Sequence, residues 1–315
     1  MTSPPASCSR TPMPRAAAAA ENPSPYDRHG VTAPYHLTGA LDGSRPILLA
    51  SPHSGTHMPA DFLATTRLDV RALRRIEDAH VGALLAPAAA AGLPLMEAVH
   101  SRAVIDLNRA EDELDPSMFQ GSVTAAPRIT ERVRRGYGLF PRVVAPNQPI
   151  HQSRLPAGTG AERIARLHRP WHAAIDATLG RTFARHGHAV LLDVHSMPSL
   201  EGADPAALVI GDLHGRSAAP ALVDWLHDAF TAQGLKVARN APYAGGHTTE
   251  RHGRPYLGIH AVQLEFDRAR YMDTATLKPH AGFGPLAASI AAVLIDLESA
   301  LPRFGLGQSL PFAAE

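Results

Sequence analysis

The chain has 315 residues, 45% hydrophobic and 19% charged, with a formal net charge of +1. Length and apolar content are those of an ordinary globular protein, and near-neutrality leaves no global attraction to nucleic acid or an anionic membrane. A single cysteine, Cys8, excludes disulfides within a monomer and suits a reducing, cytoplasmic setting.

Residues 1–30 are rich in Pro, Ala and Ser and read as a flexible extension. The run Ala16–Ala20 is too short and weakly apolar for a signal peptide. No apolar run is expected to approach the roughly 20 residues that span a bilayer. From residue 31 strand-like and helix-like segments alternate. Pro46–Ser51 predicts a strand, Val70–Ala91 a helix, and Pro94–Val99 and Ala103–Leu107 two strands around a short turn. Gly121–Leu155 scatters Pro, Gly and Arg without periodicity and reads as an irregular excursion of the kind that carries function or acts as a lid. Ala161–His186 predicts a long helix, followed by strands at His188–Val194 and Ala207–Gly211 and a helix at Ala218–Gln233. Strands at Lys236–Arg239 and Ile259–Phe266 and a closing helix at Leu286–Leu301 complete the chain. Such alternation predicts an α/β fold, a single three-layer domain over residues 31–305 with a mainly parallel mixed sheet between helices. Residues 306–315 read as a tail.

Histidine is the compositional outlier, at 18 residues. Two histidines, His53 in Ser51-Pro52-His53-Ser54-Gly55 and His195 in Asp193-Val194-His195-Ser196, directly follow or end apolar strands. Open parallel sheets place ligand sites beyond those strand ends, and imidazole is the commonest side-chain metal ligand. A hydrolytic zinc takes a third protein ligand, for which Glu77 and Asp78 are the candidates. On a helix these two point about 100° apart, so only one faces the site. Asp193, two residues before His195 on the same strand face, is placed to orient that imidazole.

The segment Ser101-Arg102 through Asp106-Leu107-Asn108-Arg109 brings two arginines and an asparagine to one region. Arginine grips carboxylates through a planar fork, which suits an acidic, carboxylate-bearing substrate. In Ile259–Phe266, Glu265 ends an apolar strand on the same face as Gln263. A buried glutamate is costly unless paired or working, and beside an activated water it serves as general base and then as proton donor to the leaving amine. Gly245-Gly246-His247-Thr248 permits close backbone approach and sets His247 and Thr248 where they polarise a carbonyl or bind a carboxylate. No Gly-x-Ser-x-Gly elbow, P-loop or dinucleotide fingerprint accompanies the first strand.

Taken in order, Ser51–Gly55, Glu77-Asp78, Ser101-Arg102, Asp106–Arg109, Asp193–Ser196, Gly245–Thr248, His260–Glu265 and Tyr271-Met272 form a pattern that resembles the N-formylglutamate amidohydrolases, over roughly residues 35–300. The resemblance implies a zinc-carboxypeptidase-like (phosphorylase/hydrolase-like) fold related to the aspartoacylases, which share the Asp-x-Asn-Arg element. It further implies one divalent metal, zinc above all, held by His53, His195 and Asp78 in preference to Glu77. Zinc carboxypeptidases carry a glutamate three residues after the first histidine ligand, where this chain has Thr56. By the same resemblance Glu265 is the catalytic carboxylate, and Arg102, Asn108 and Arg109 hold the substrate carboxylate or polarise the scissile carbonyl.

The expected reaction is hydrolysis of N-formyl-L-glutamate, or a similar acidic N-acylamino acid, to formate and the amino acid, a step that in this family belongs to histidine degradation. The alternatives are a related amidohydrolase acting on another N-acyl amino acid or short peptide, and a metal-dependent binding protein without turnover. The expected partner is an acidic small molecule, with neither nucleic acid nor membrane.

Overall fold

The computed structural model describes residues 33–307; Cys8, the 1–30 extension and most of the 306–315 tail lie outside them. Seven strands form the central sheet: β1 (Tyr35–Thr38), β2 (Ile47–Ser51), β3 (Leu95–Ala98), β4 (Ala189–Met197), β5 (Leu208–Gly211), β6 (Val237–Arg239) and β7 (Ile259–Asp267). Their spatial order is β1-β3-β2-β4-β7-β5-β6. The pairs β3–β2, β2–β4, β4–β7 and β5–β6 are parallel, whereas β1–β3 and β7–β5 are antiparallel. The sheet is therefore mixed and mainly parallel.

Strand parity divides the core in two. Ile47, Leu49, Val190, Leu192, Val194, Val262, Leu264 and Phe266 face one layer, built from α1 (Val81–Ala90), α3 (Pro220–Ala232) and α5 (Phe283–Ala300). Leu48, Ala50, Ala189, Leu191 and Ala261 face the other, which holds α2 (Arg169–His186) with Trp171, Ile175 and Leu179. The strands are apolar on both faces, as a sheet covered on both sides requires. Helix α4 (His247–His252) is one short turn near the carboxyl ends of the strands.

Residues 283–304 form a segment long and apolar enough to cross a membrane, contrary to the expectation that no run would be. Half of it is buried: Leu286, Ile290, Val293, Leu294 and Leu297 pack into the core, and its apolar character is that of a core helix.

Three expected elements differ. Val70–Ala91 is not one helix: a turn at Val70–Leu73 tightens into a 3-10 turn at Arg74–Ile76, Glu77 is extended, and His80 is left-handed (φ 67°) before α1 begins. Tertiary bonds override helix propensity here: the Asp78 N–H donates to the His53 carbonyl at 2.9 Å, and the Asp78 carboxylate is drawn inward. Ala103–Leu107 is a buried chain of turns that pairs with no strand among the described residues; the Asp106 N–H donates to Leu139 O (2.8 Å), and Arg163 Nη1 donates to Val104 O (3.2 Å). The 161–186 segment starts at Ala157 and passes through a π-helical turn at Ile164–His168, just before Pro170, which has no N–H to donate to Arg166. Strand β1 was not anticipated. The 121–155 excursion is mainly irregular, with a short helix at Glu131–Arg134 and two-stranded scraps such as Val143–Ala145 with Gln148–Pro149.

Leu191, fully buried on β4 beneath the polar end of the strand, tests this packing. Leu191→Ala is expected to lower unfolding free energy by about 2–5 kcal/mol, read by denaturant titration.

Candidate active site

Strand parity also builds the site. On β4 the face that carries Ala189 and Leu191 continues with Asp193 and His195; on β7 the face that carries Ala261 continues with Gln263 and Glu265. The parallel register sets Gln263 beside Asp193 and Glu265 beside His195. Each strand thus turns from apolar to polar toward its carboxyl end on one face only. His53 follows β2 just beyond that end. Gly55, two residues on, is packed so closely that a Cβ would fall 2.3 Å from His100 O.

Three donor atoms converge there. His53 Nδ1 and His195 Nδ1 lie 3.0 Å apart, and Asp78 Oδ2 lies 3.2 Å from the first and 2.9 Å from the second. All three residues are buried. The outward nitrogens are held by carboxylates: His53 Nε2 is 2.7 Å from Asp106 Oδ1, and His195 Nε2 is 3.0 Å from Asp193 Oδ2. A carboxylate accepts, so each Nε2 carries the proton, and each neutral ring directs a bare Nδ1 inward. Two lone pairs and a carboxylate oxygen facing one another repel unless a proton or a metal cation lies among them. Edges of about 3.3 Å are those of a tetrahedron of ligands around zinc, so this donor set fits a divalent metal. Glu77 turns elsewhere, its Oε2 accepting from Arg74 Nε at 3.0 Å.

Protons and a cation compete for these inward nitrogens, and the charges around them favour a positive centre of either kind. Burial alone would raise Asp78, yet bonds from His195 and His53 and the charge of Arg268 hold it well below the usual carboxylate range. Burial likewise opposes ionisation of Asp106, but Arg102, Arg109 and His53 hold it ionised. Burial opposes a charged His195, yet Asp193 and Asp78 raise it well above an ordinary histidine. Glu265 goes the other way: burial pushes it up to about 7, and Gln263 Nε2 donates to its Oε1 at 2.8 Å.

A cavity of about 170 Å³ opens onto this centre, lined by His53, Asp78, His195, Glu265 and four arginines, Arg102, Arg109, Arg132 and Arg268. Their tethers differ. Arg102 Nη2 pairs with Asp106 Oδ2 at 2.8 Å. Arg109 donates to the carbonyls of Tyr137 and Asn108 at 2.9 and 2.7 Å. Arg268 Nη2 binds Asp78 Oδ1 at 2.7 Å, and its Nε donates to Ser196 Oγ at 3.1 Å. Arg132, from the excursion, has one long contact, 3.5 Å to Gly245 O.

Asn108 lines the cavity and ties its walls together. Its Oδ1 accepts from the Thr248 N–H at 2.8 Å and its Nδ2 donates to Asp193 Oδ2 at 3.3 Å. Thr248 is buried, and neither it nor His247 lines the cavity; the His247 ring lies among His168 and His172. The double glycine approaches Asn108 rather than open space: a Cβ on Gly246 would fall 2.4 Å from Asn108 Nδ2.

Sequence reasoning did not single out Arg132, Arg268 or the part played by Asp106. Arg268 follows β7 directly, a position at the strand ends that points to the site. Arg132 carries no such signal, since nothing in an aperiodic segment tells where it folds back. Asp106→Asn removes the negative charge that polarises and aims His53 and is expected to weaken metal affinity about 10–100-fold, read by chelator competition. Gly246→Ala pushes on Asn108 and is expected to cost about 1–3 kcal/mol of stability, read by thermal unfolding.

Comparison with known proteins is consistent with this geometry. Residues 45–272 match the family described as N-formylglutamate amidohydrolase. The chain is 31% identical over 271 residues to an N-formylglutamate deformylase of Pseudomonas aeruginosa, covering 84% of this chain and 95% of that protein. A crystal structure of an N-formylglutamate amidohydrolase from Ralstonia eutropha JMP134 superposes with a TM-score of 0.81 at 32% identity, covering 86% of this chain and 99% of that one. A protein from Agrobacterium tumefaciens shares the fold at 19% identity, with a TM-score of 0.58. The chain belongs to the N-formylglutamate amidohydrolase family.

Proposed function

We propose that the chain hydrolyses N-formyl-L-glutamate to formate and L-glutamate, in a cytoplasmic setting and as a step of histidine degradation. The observation that carries this reading is the joining of a metal-type donor triangle, a buried glutamate and four arginines in one small cavity. The relatives named for this reaction add to it, and the single cysteine accords with a reducing compartment.

His53, His195 and Asp78 would hold the metal, with zinc favoured by the nitrogen-rich donor set. Bound there, a divalent cation supplies Lewis acidity toward the formyl carbonyl and lowers the pKa of water. Glu265, its proton affinity raised by burial and its carboxylate steered by Gln263, takes a proton from the attacking water. It returns that proton to the amine nitrogen as the C–N bond breaks. The arginines receive a substrate with two carboxylates. Arg268 and Arg102 are committed to Asp78 and Asp106 and chiefly position the centre. Arg132 is the least committed and stands at the mouth, where it would grip the outer carboxylate. Asn108 and Arg109 brace the wall between them.

Purified protein is expected to release formate from N-formyl-L-glutamate, to lose that activity on chelation and to regain it with zinc. No formate despite bound zinc would overturn the substrate and direct attention to other N-acyl amino acids. Glu265→Gln should lower kcat about 10²–10⁴-fold with metal content unchanged; full turnover in that variant would remove Glu265 from its role. Arg132→Ala should raise KM for N-formylglutamate about 10–100-fold, the loss of one charge-assisted pair, while barely altering KM for N-formylglutamine.

A further inference from the structure

Behind the Asp106–Arg109 segment, away from the cavity, lies a second group of histidines. His168 and His172 come from α2 and the π-helical turn before it; His247 and His252 come from α4. His168, His172 and His252 are all but completely buried. One ring nitrogen from each of His168, His172 and His247 lies within 4.8 Å of the other two.

The protons can be assigned from the partners. His168 Nε2 lies 2.7 Å from Arg109 O, and His172 Nε2 lies 2.9 Å from Leu107 O. A carbonyl only accepts, so both Nε2 atoms carry hydrogen and both Nδ1 atoms are bare when the rings are neutral. His168 Nδ1 is buried without a hydrogen-bond partner, 3.6 Å from Glu111 Oε1. His247 Nε2 is likewise buried and unpartnered. His252 Nδ1 donates to Asp176 Oδ1 at 2.9 Å, and its Nε2 lies 2.9 Å from His172 Nδ1, a contact that needs one proton or a cation between the two nitrogens. Neutral imidazole is the form that binds metal.

We propose that this histidine pocket is a second, structural site for a divalent cation of the zinc class, with His168 Nδ1, His172 Nδ1 and His247 Nε2 as ligands. Imidazole ligands select zinc, nickel or cobalt over magnesium or calcium. Glu111 and Asp176, each also paired with an arginine (Arg169 and Arg251), are the carboxylates beside the group, and the rings close by about an ångström to reach the roughly 3.3 Å ligand spacing of a tetrahedral ion. The backbone carbonyls of Leu107 and Arg109, which His172 and His168 hold from behind, flank Asn108, and His247 directly precedes Thr248. An ion here would stiffen the wall on which Asp106 and Asn108 stand. The proposal is independent of the catalytic reading, because the two donor sets share no residue.

The test is metal stoichiometry. Protein loaded with zinc, desalted and analysed by elemental mass spectrometry is expected to hold two zinc ions per chain. The His53→Ala/His195→Ala variant should keep one, and the His168→Gln/His172→Gln variant should keep one. One zinc in the wild type and none in the His53→Ala/His195→Ala variant overturns the second site and leaves the first intact. One zinc that survives loss of His53 and His195 but not loss of His168 and His172 supports the pocket and overturns the catalytic metal instead. Should the histidine-pocket double variant fail to fold, cobalt decides. Cobalt-loaded His53→Ala/His195→Ala protein should show the visible d–d absorption of a nitrogen-ligated ion, lost in a further His247→Gln variant; a colourless protein overturns the proposal.

Discussion

Two imidazole nitrogens and a carboxylate oxygen meet within 3.2 Å at the carboxyl ends of β2 and β4, each ring already committed on its far side to an aspartate. In water such an arrangement would fly apart or take up protons. In a buried space, where charges are poorly screened, it is tolerable only around a positive charge. Most of the surrounding structure serves that constraint. Asp106 and Asp193 set the tautomers, Arg102 and Arg109 keep Asp106 ionised, and Arg268 occupies the oxygen of Asp78 that faces away from the triangle.

The local chain paths follow from the same demand. A regular helix through residues 70–91 would hold Asp78 in a helical row and give its N–H to the helix. The break at Glu77 and the left-handed His80 free both groups to turn toward His53. The Ala103–Leu107 turns bury an irregular backbone, which is possible because side chains and carbonyls from neighbouring segments satisfy it. Among those side chains are the histidines of the rear pocket, so the loop that aims His53 is fastened from both sides.

The sheet accomplishes the rest by register. A parallel β4–β7 pair with Glu265 opposite His195 sets a buried base beside the metal-type centre without any loop having to place it. A slip of β7 by one residue would turn Glu265 into the opposite, apolar layer and away from His195. Burial of that strand pair between two hydrophobic layers is thus what gives the catalytic face its alignment.

Read by itself, the sequence determined the α/β class, the strands that lead to His53, His195 and Glu265, and the pairing of Asp193 with His195 on one face, although β4 and β7 run two residues beyond His195 and Glu265. Those conclusions rest on local rules: alternation along a strand, apolar runs, and the cost of a polar group at a buried position. Motif order added the resemblance to a family. What only the tertiary structure decided depends on residues far apart in the chain. Nothing within residues 70–91 shows that Asp78 leaves the helix, because the groups that draw it out are His53, His195 and Arg268. Nothing within the excursion shows that Arg132 returns to the cavity. His247 reads as a loop-tip ligand for substrate, yet the glycines before it pack on Asn108 and its ring lies with His168 and His172, behind the wall instead of in the cavity. Local sequence states which side chains a strand presents on each face. Which distant side chains meet them is set by packing in three dimensions, where no short-range pattern in the sequence reaches.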